Sequence, residues 1–174
     1  ARRLSTLRQF YRFLYAEGIR LDDPSSSLDS PKLGRRLPKY LTEQEVEKLL
    51  KTTQVKTGAK GLRIQALLEI LYATGLRVSE LVALPLSAIT RDKRFLVVRG
   101  KGDKERMVPL GKPAAAALEA YRETRKFFSG DADESKWVFP SRGQTGHLTR
   151  QRFLQLLKEL ALEAGIDPAR VSPH

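Results

Sequence analysis

Apolar side chains recur with helical spacing from the first residues onward. Leu4, Leu7, Tyr11 and Leu14 form one stripe, Phe10 and Phe13 widen it, and Arg2, Ser5, Arg8, Gln9 and Arg12 populate the other side. This predicts a helix over 2–18, stopped by Gly18. Residues 19–40 lose the pattern: Asp22-Asp23-Pro24-Ser25-Ser26-Ser27 is turn chemistry, and Pro31 and Pro38 bracket Lys32, Arg35 and Arg36. Proline fixes φ and removes an amide donor, so this stretch reads as a linker between two domains.

The pattern resumes at Thr42-x-x-Glu45, a capping box before Val46, Leu49 and Leu50. Thr52 to Gly61 reads as a loop. Leu62 to Thr74 is apolar enough for a buried helix, with Tyr72 in the core, and Gly75 breaks it. A short helix is expected from Arg77 to Leu84, before Pro85. The period then changes from helix to strand. Phe95–Arg99 and Arg106–Leu110 are β-rich runs around Gly100-Lys101-Gly102-Asp103-Lys104-Glu105, a hairpin with a basic, glycine-bearing tip. Pro113–Phe128 predicts an alanine-rich helix and Trp137–Pro140 a short extended segment. Thr149 caps a last helix from Arg150 to Ala164, ended by Gly165. The fold class that follows is mainly α with a small antiparallel β-sheet.

Composition narrows the chemistry. The 174 residues carry 32 Lys and Arg against 20 Asp and Glu, a net charge of +12, which favours a polyanionic partner. The surplus lies on both sides of the linker. Cysteine is absent, which removes disulfide scaffolds, thiolate zinc sites and cysteine nucleophiles and fits a reducing compartment. Two histidines, at 147 and 174, leave little for a histidine metal cluster, and His147 reads as solvent-exposed. No apolar run approaches the ~20 residues of a membrane span, and Arg8 and Arg12 interrupt any signal-peptide pattern. The chain opens on Ala1 and runs out at Val171-Ser172-Pro173-His174 without a cap, which reads as a piece of a longer polypeptide.

Three features can carry chemistry. Arg77 follows the Gly75 break at a helix start, with Glu80 three residues on; spacing alone favours an ordinary surface ion pair over a phosphate-binding role. The hairpin tip can project Lys101 into a groove or toward a proton acceptor, but taken alone it reads better as a solvated, charged turn. Pro173-His174 by itself reads as a chain end.

Taken together, Leu71-Tyr72-Ala73-Thr74-Gly75-Leu76-Arg77-Val78-Ser79-Glu80-Leu81-Val82, Gly100-Lys101-Gly102-Asp103-Lys104-Glu105-Arg106 with Val108-Pro109-Leu110, and Ser172-Pro173-His174 resemble the tyrosine recombinases of the phage-integrase family. Within it they resemble the bacterial Xer recombinases, the XerD type more than the XerC type. The resemblance implies residues 1–20 as the last helix of a core-binding DNA-binding domain, 21–40 as a linker, and 41–174 as the N-terminal part of a catalytic domain.

It also implies a chemistry. These enzymes recombine DNA at specific sites without metal, ATP or other cofactor, through a 3′-phosphotyrosyl intermediate. Arg77 matches the arginine on the scissile phosphate, Lys101 the general acid for the departing 5′ oxygen, and His174 the first histidine of the His-x-x-Arg box. Glu80 matches a supporting acidic residue. Preorganised cations suit the extra negative charge of a phosphorane transition state. Candidate DNA contacts are Arg2, Ser5, Arg8, Arg99, Lys104, Arg106, Arg150 and Arg152. The resemblance implies a cytoplasmic protein that resolves chromosome dimers on double-stranded DNA. Its partners would be a XerC-like sister recombinase in a heterotetramer and a DNA translocase of the FtsK type.

Two other readings stand beside it: an integron, phage or transposon integrase, and a DNA-binding module without catalysis. An RNA-binding protein would need aromatics on an exposed sheet or basic face, and most aromatics here read as buried. The five tyrosines, Tyr11, Tyr15, Tyr40, Tyr72 and Tyr121, all precede the position where the family carries its nucleophile. Residues 1–174 alone are therefore expected not to cleave DNA. Gel analysis of this polypeptide with labelled duplex should show no covalent adduct, and an adduct would refute the expectation.

Overall fold

The computed structural model describes residues 2–29, 40–100, 102, 104–129 and 135–173. The chain divides into two compact units, Ala1–Pro38 and Lys39–His174. The first unit contains α1 (Arg2–Ala16), which ends in a turn through Gly18 at φ +67°. Leu4, Tyr11 and Leu14 are half-buried, whereas Leu7, Phe10, Phe13 and Tyr15 are exposed. Ser25 is the one buried residue among those described in this unit; its amide and hydroxyl donate to Asp23 at 2.9 and 2.6 Å.

The second unit is mainly α with one two-stranded antiparallel sheet, as the sequence pattern implies. α2 (Glu43–Gln54) starts with the expected capping box: the Glu45 amide donates to Thr42 Oγ1 at 3.2 Å and the Thr42 amide to Glu45 Oε2 at 2.8 Å. Arg170, from the far end of the unit, adds two donors to the same carboxylate at 2.5 and 2.9 Å. α3 (Gly58–Thr74) is mostly apolar with no single apolar face and forms the centre of the core, with Ala66, Leu67 and Ile70 fully enclosed. It packs on α5 (Lys112–Thr124), on α2, and on α4 (Val78–Val82). α6 (Lys126–Ser129) and α7 (Arg150–Glu163) complete the helices. Tyr121 stacks on Phe139 at 5.3 Å, and the buried Arg63 guanidinium lies 3.7 Å over the Phe128 ring.

β1 (Phe95–Arg99) pairs with β2 (Glu105–Pro109), with Arg99 opposite Glu105 and Val98 opposite Arg106. Residues 137–140 form no ladder; they are held by isolated bridges from Trp137 to Pro85 and from Pro140 to His147.

Several expectations are corrected. The loop over 52–61 shrinks to residues 55–57, because Gly61 lies inside α3. A Cβ at Gly61 would come within 2.8 Å of the Lys56 backbone, so the glycine marks a close approach rather than a turn. The single helix over 113–128 tightens at Arg125, where the amides of Arg125 and Phe128 bond three residues back. β2 begins one residue earlier than expected. Tyr72 is 66% exposed, not core: a helix with no single apolar face gives no signal of which side turns to solvent. His147 is half-buried, its Nδ1 2.8 Å from the Leu148 carbonyl and its ring edge-on to Trp137. Phe10, Phe13, Tyr15, Tyr40, Tyr72 and Phe127 are exposed, so burial of most aromatics does not hold; the sheet itself carries only the half-buried Phe95. Among the described residues, no helix is long and apolar enough to cross a membrane.

Gly61→Ala gains about 1 kcal/mol of helix propensity but forces the Lys56 backbone away, an overpacking cost of about 1–3 kcal/mol. Urea unfolding should show a lowered midpoint, and a raised midpoint would contradict the close approach.

Candidate functional site

The site begins at the end of α3. Gly75 takes the left-handed conformation (φ +59°) and its amide donates to the Leu71 carbonyl at 2.9 Å, closing the helix. Leu76 then plugs into the core, 3% exposed. The chain is extended at Arg77 (φ −64°, ψ 145°) before it turns into α4. Fixed between a buried Leu76 and a buried Val78, Arg77 sends its side chain outward, 64% exposed.

Glu80 holds this arrangement. Its carboxylate is only 10% exposed and accepts four bonds. The Arg77 amide reaches Oε2 at 2.9 Å and Arg77 Nη1 reaches Oε1 at 3.1 Å. From β2, 26 residues away in sequence, Arg106 donates Nη1 to Oε1 at 3.2 Å and Nη2 to Oε2 at 2.7 Å. The bidentate Arg106 fork and the Arg77 donors push the Glu80 pKa down from 4.5 to about 2. This is no ordinary surface pair of neighbours on one helix. It is a half-buried three-residue cluster that ties the hairpin to the Arg77 turn.

Lys101 and His174 lie outside the described residues. Their neighbours are described. A Cβ on Gly100 would meet Arg106 Nη1 at 2.9 Å, so the hairpin tip starts where the guanidinium passes. Ser172 and Pro173 share with Arg77 an apolar cleft of about 360 Å³, also lined by Tyr72, Leu49 and Leu157.

The remaining candidates separate. Arg150, exposed at the start of α7, lines a second cleft with Val78, Lys158, Ser172 and Pro173. Arg152 turns away: its Nη1 donates to Gln155 at 3.2 Å and to Glu159 at 3.0 Å, and it borders a different cleft beside Lys56 and Lys60. Arg99 pairs with Glu105 across the hairpin at 3.1 Å, and Lys104 is exposed. In the first unit Ser5 is exposed and Arg8 Nη2 donates to the Leu28 carbonyl. Arg2 belongs to α1, and its side chain lies outside the description.

Spacing did not reveal the Arg106–Glu80 contact, although one signal was present. Alternation along β1 buries Leu96 and Val98, and the residues opposite them, Val108 and Arg106, share that inward face. An arginine on the core side of a strand calls for a buried carboxylate.

The second unit is thus a helical domain that presents one arginine on a carboxylate clamp beside a basic hairpin. Residues 39–174 match the Phage integrase family, and the chain belongs to that family. It is 53% identical over 176 residues to tyrosine recombinase XerD of Caulobacter vibrioides (strain ATCC 19089 / CIP 103742 / CB 15), covering all of this chain and 57% of that protein. It is 53% identical over 180 residues to tyrosine recombinase XerD of Rhizobium meliloti (strain 1021), again covering all of the chain and 57% of the relative. The chain therefore spans little more than half the length of these relatives. Among solved structures, the crystal structure of XerA recombinase aligns with a TM-score of 0.66 at 27% identity, over 97% of this chain and 56% of that one.

Because its folded pKa is depressed, Glu80 contributes stability above its ordinary value of 4.5 and loses that contribution as pH falls toward 2. Denaturant titrations of wild type and Glu80→Gln should differ fully at neutral pH and converge across that acid window. A gap that persists unchanged below it would refute the assignment.

Proposed function

We propose that the chain is the larger part of a site-specific tyrosine recombinase of the XerD type, acting on double-stranded DNA. The observation that supports this best is the position of Arg77. It shares a carboxylate with the root of the Lys101 hairpin and a cleft with Ser172-Pro173, the residues that lead to His174. In this reading residues 1–20 are the last helix of a core-binding domain, 21–40 the linker, and 41–174 the start of the catalytic domain.

The reaction is a transesterification. A tyrosine of the longer polypeptide attacks phosphorus, the new bond being O–P, while the bond from phosphorus to the 5′ oxygen breaks. Lys101 gives the leaving 5′ oxygen its proton, so no free alkoxide departs. Arg77 donates to the non-bridging oxygens, and His174 stands on the same phosphate. Charge grows on those oxygens in the transition state, so fixed donors there lower the barrier more than they strengthen ground-state binding. The linkage conserved in the phosphotyrosine is returned when a 5′ hydroxyl attacks it. Arg150, Lys104 and Arg99 supply backbone contacts around the reacting phosphate, and Arg2, Ser5 and Arg8 serve the first unit. The partners in this reading are a XerC-like sister recombinase and an FtsK-type translocase, and the location is cytoplasmic. A DNA-binding module without chemistry is the alternative, since the surplus of 12 positive charges serves either.

The test uses the natural polypeptide that contains residues 1–174, with duplexes selected by binding from random sequence and nicked to trap cleavage. Wild type should form a covalent complex. Arg77→Ala should lower its rate by about 100- to 1,000-fold while the Kd changes far less. Tight binding with no covalent complex from wild type would establish the non-catalytic reading instead.

A further inference from the structure

We propose that Arg106 is a charge-balancing and positioning residue for Arg77, acting through Glu80. Both terminal nitrogens of Arg106 donate to the two oxygens of one carboxylate, at 3.2 and 2.7 Å. The end-on face of the guanidinium is thereby taken up by Glu80. Arg77 uses a single terminal nitrogen on Glu80, at 3.1 Å, and is far more exposed, 64% against 40% for Arg106. The two arginines therefore divide the work. One faces inward and neutralises the carboxylate; the other faces solvent and keeps donors for an anion.

The electrostatics make Arg106 necessary. Two guanidinium groups and one carboxylate leave the cluster at a formal charge of +1. Without Arg106, Arg77 and Glu80 form a neutral pair, and a largely buried carboxylate competes with any phosphate for the same guanidinium. The backbone is arranged for this contact. The hairpin closes through the Gly100 amide to the Lys104 carbonyl at 2.9 Å, and glycine at position 100 leaves room for the guanidinium, whose Nη1 a Cβ there would approach to 2.9 Å. On the other side, the Glu80 carboxylate also caps the Arg77 amide at 2.9 Å, so it fixes the backbone from which Arg77 projects. Glu80 is thus required for geometry and harmful for charge, and Arg106 removes the harm.

This inference rests on the recombinase reading for its consequence, not for its geometry. The test compares wild type, Arg106→Ala, Arg106→Lys and the double variant Arg106→Ala/Glu80→Gln in the natural polypeptide containing residues 1–174. The readout is the cleavage rate at saturating DNA, with thermal unfolding followed in parallel. Arg106→Ala should lose about 100-fold in rate. The double variant should regain at least about tenfold over Arg106→Ala, because a neutral amide in place of the Glu80 carboxylate restores the charge of +1 without restoring the clamp. Arg106→Lys should fall between, keeping the charge and losing the fork. If Arg106 served only as a structural tie, the double variant would be no faster than Arg106→Ala whatever its stability, and the proposal fails. If wild type itself does not cleave, the recombinase reading fails separately. The affinity of the same four proteins for inorganic phosphate then decides: recovery in the double variant upholds the charge balance, and equal affinity of the double and Arg106→Ala variants overturns it.

Discussion

Glu80 is a carboxylate that two arginines need for different reasons, and much of the second unit is organised around that fact. A carboxylate this far out of water must be compensated, and a single exposed guanidinium does so poorly. The bidentate Arg106 fork supplies the compensation, and it reaches α4 from a strand 26 residues away in sequence. Leu96 and Val98 of the paired strand are buried in the core, and the Arg106 guanidinium passes beside Gly100 to the carboxylate that also holds Arg77. The hairpin is thereby tied to the Arg77 turn by one carboxylate as well as by its own buried apolar side chains.

The turn itself depends on α3. A mostly apolar helix with no single apolar face is stable only when surrounded, and here α2, α4 and α5 surround it. It has to stop abruptly for Arg77 to reach solvent. Gly75 provides the left-handed residue that ends it, and the next apolar side chain, Leu76, returns at once to the core. Each buried residue on either side of Arg77 contributes on the order of 1.5–3 kcal/mol. Arg77 therefore projects from a backbone held on both flanks, which is the preorganisation that charge stabilisation in a transition state requires.

Within the second unit, basic residues close in sequence face different surroundings. Arg150 opens onto the cleft that reaches Val78 and Pro173, whereas Arg152, two residues on, is committed to its own helix through Gln155 and Glu159. Adjacent positions on a helix point about 100° apart, and a two-residue step points further still, so neighbours in sequence face different environments. Net charge thus bounds the kind of partner without choosing the contacts.

The local signals were legible before any coordinates. The Thr42–Glu45 box, the Thr149 cap, the Gly75 and Gly165 stops and the strand period of 95–99 each involve residues within a few positions of one another, and each was realised. The motif resemblance located the family from three separated segments. Sequence could not say that Tyr72 faces solvent, that Gly61 is a helix contact, or that Arg106 belongs to Glu80. Periodicity identifies a face only when the faces differ, and α3 has none that do. A close approach between backbones and an ion pair across 26 residues have no local trace, because both are created by packing elements together. Short-range hydrogen bonding and patterning wrote the elements; the burial of one carboxylate, decided only in three dimensions, set which arginine reaches outward.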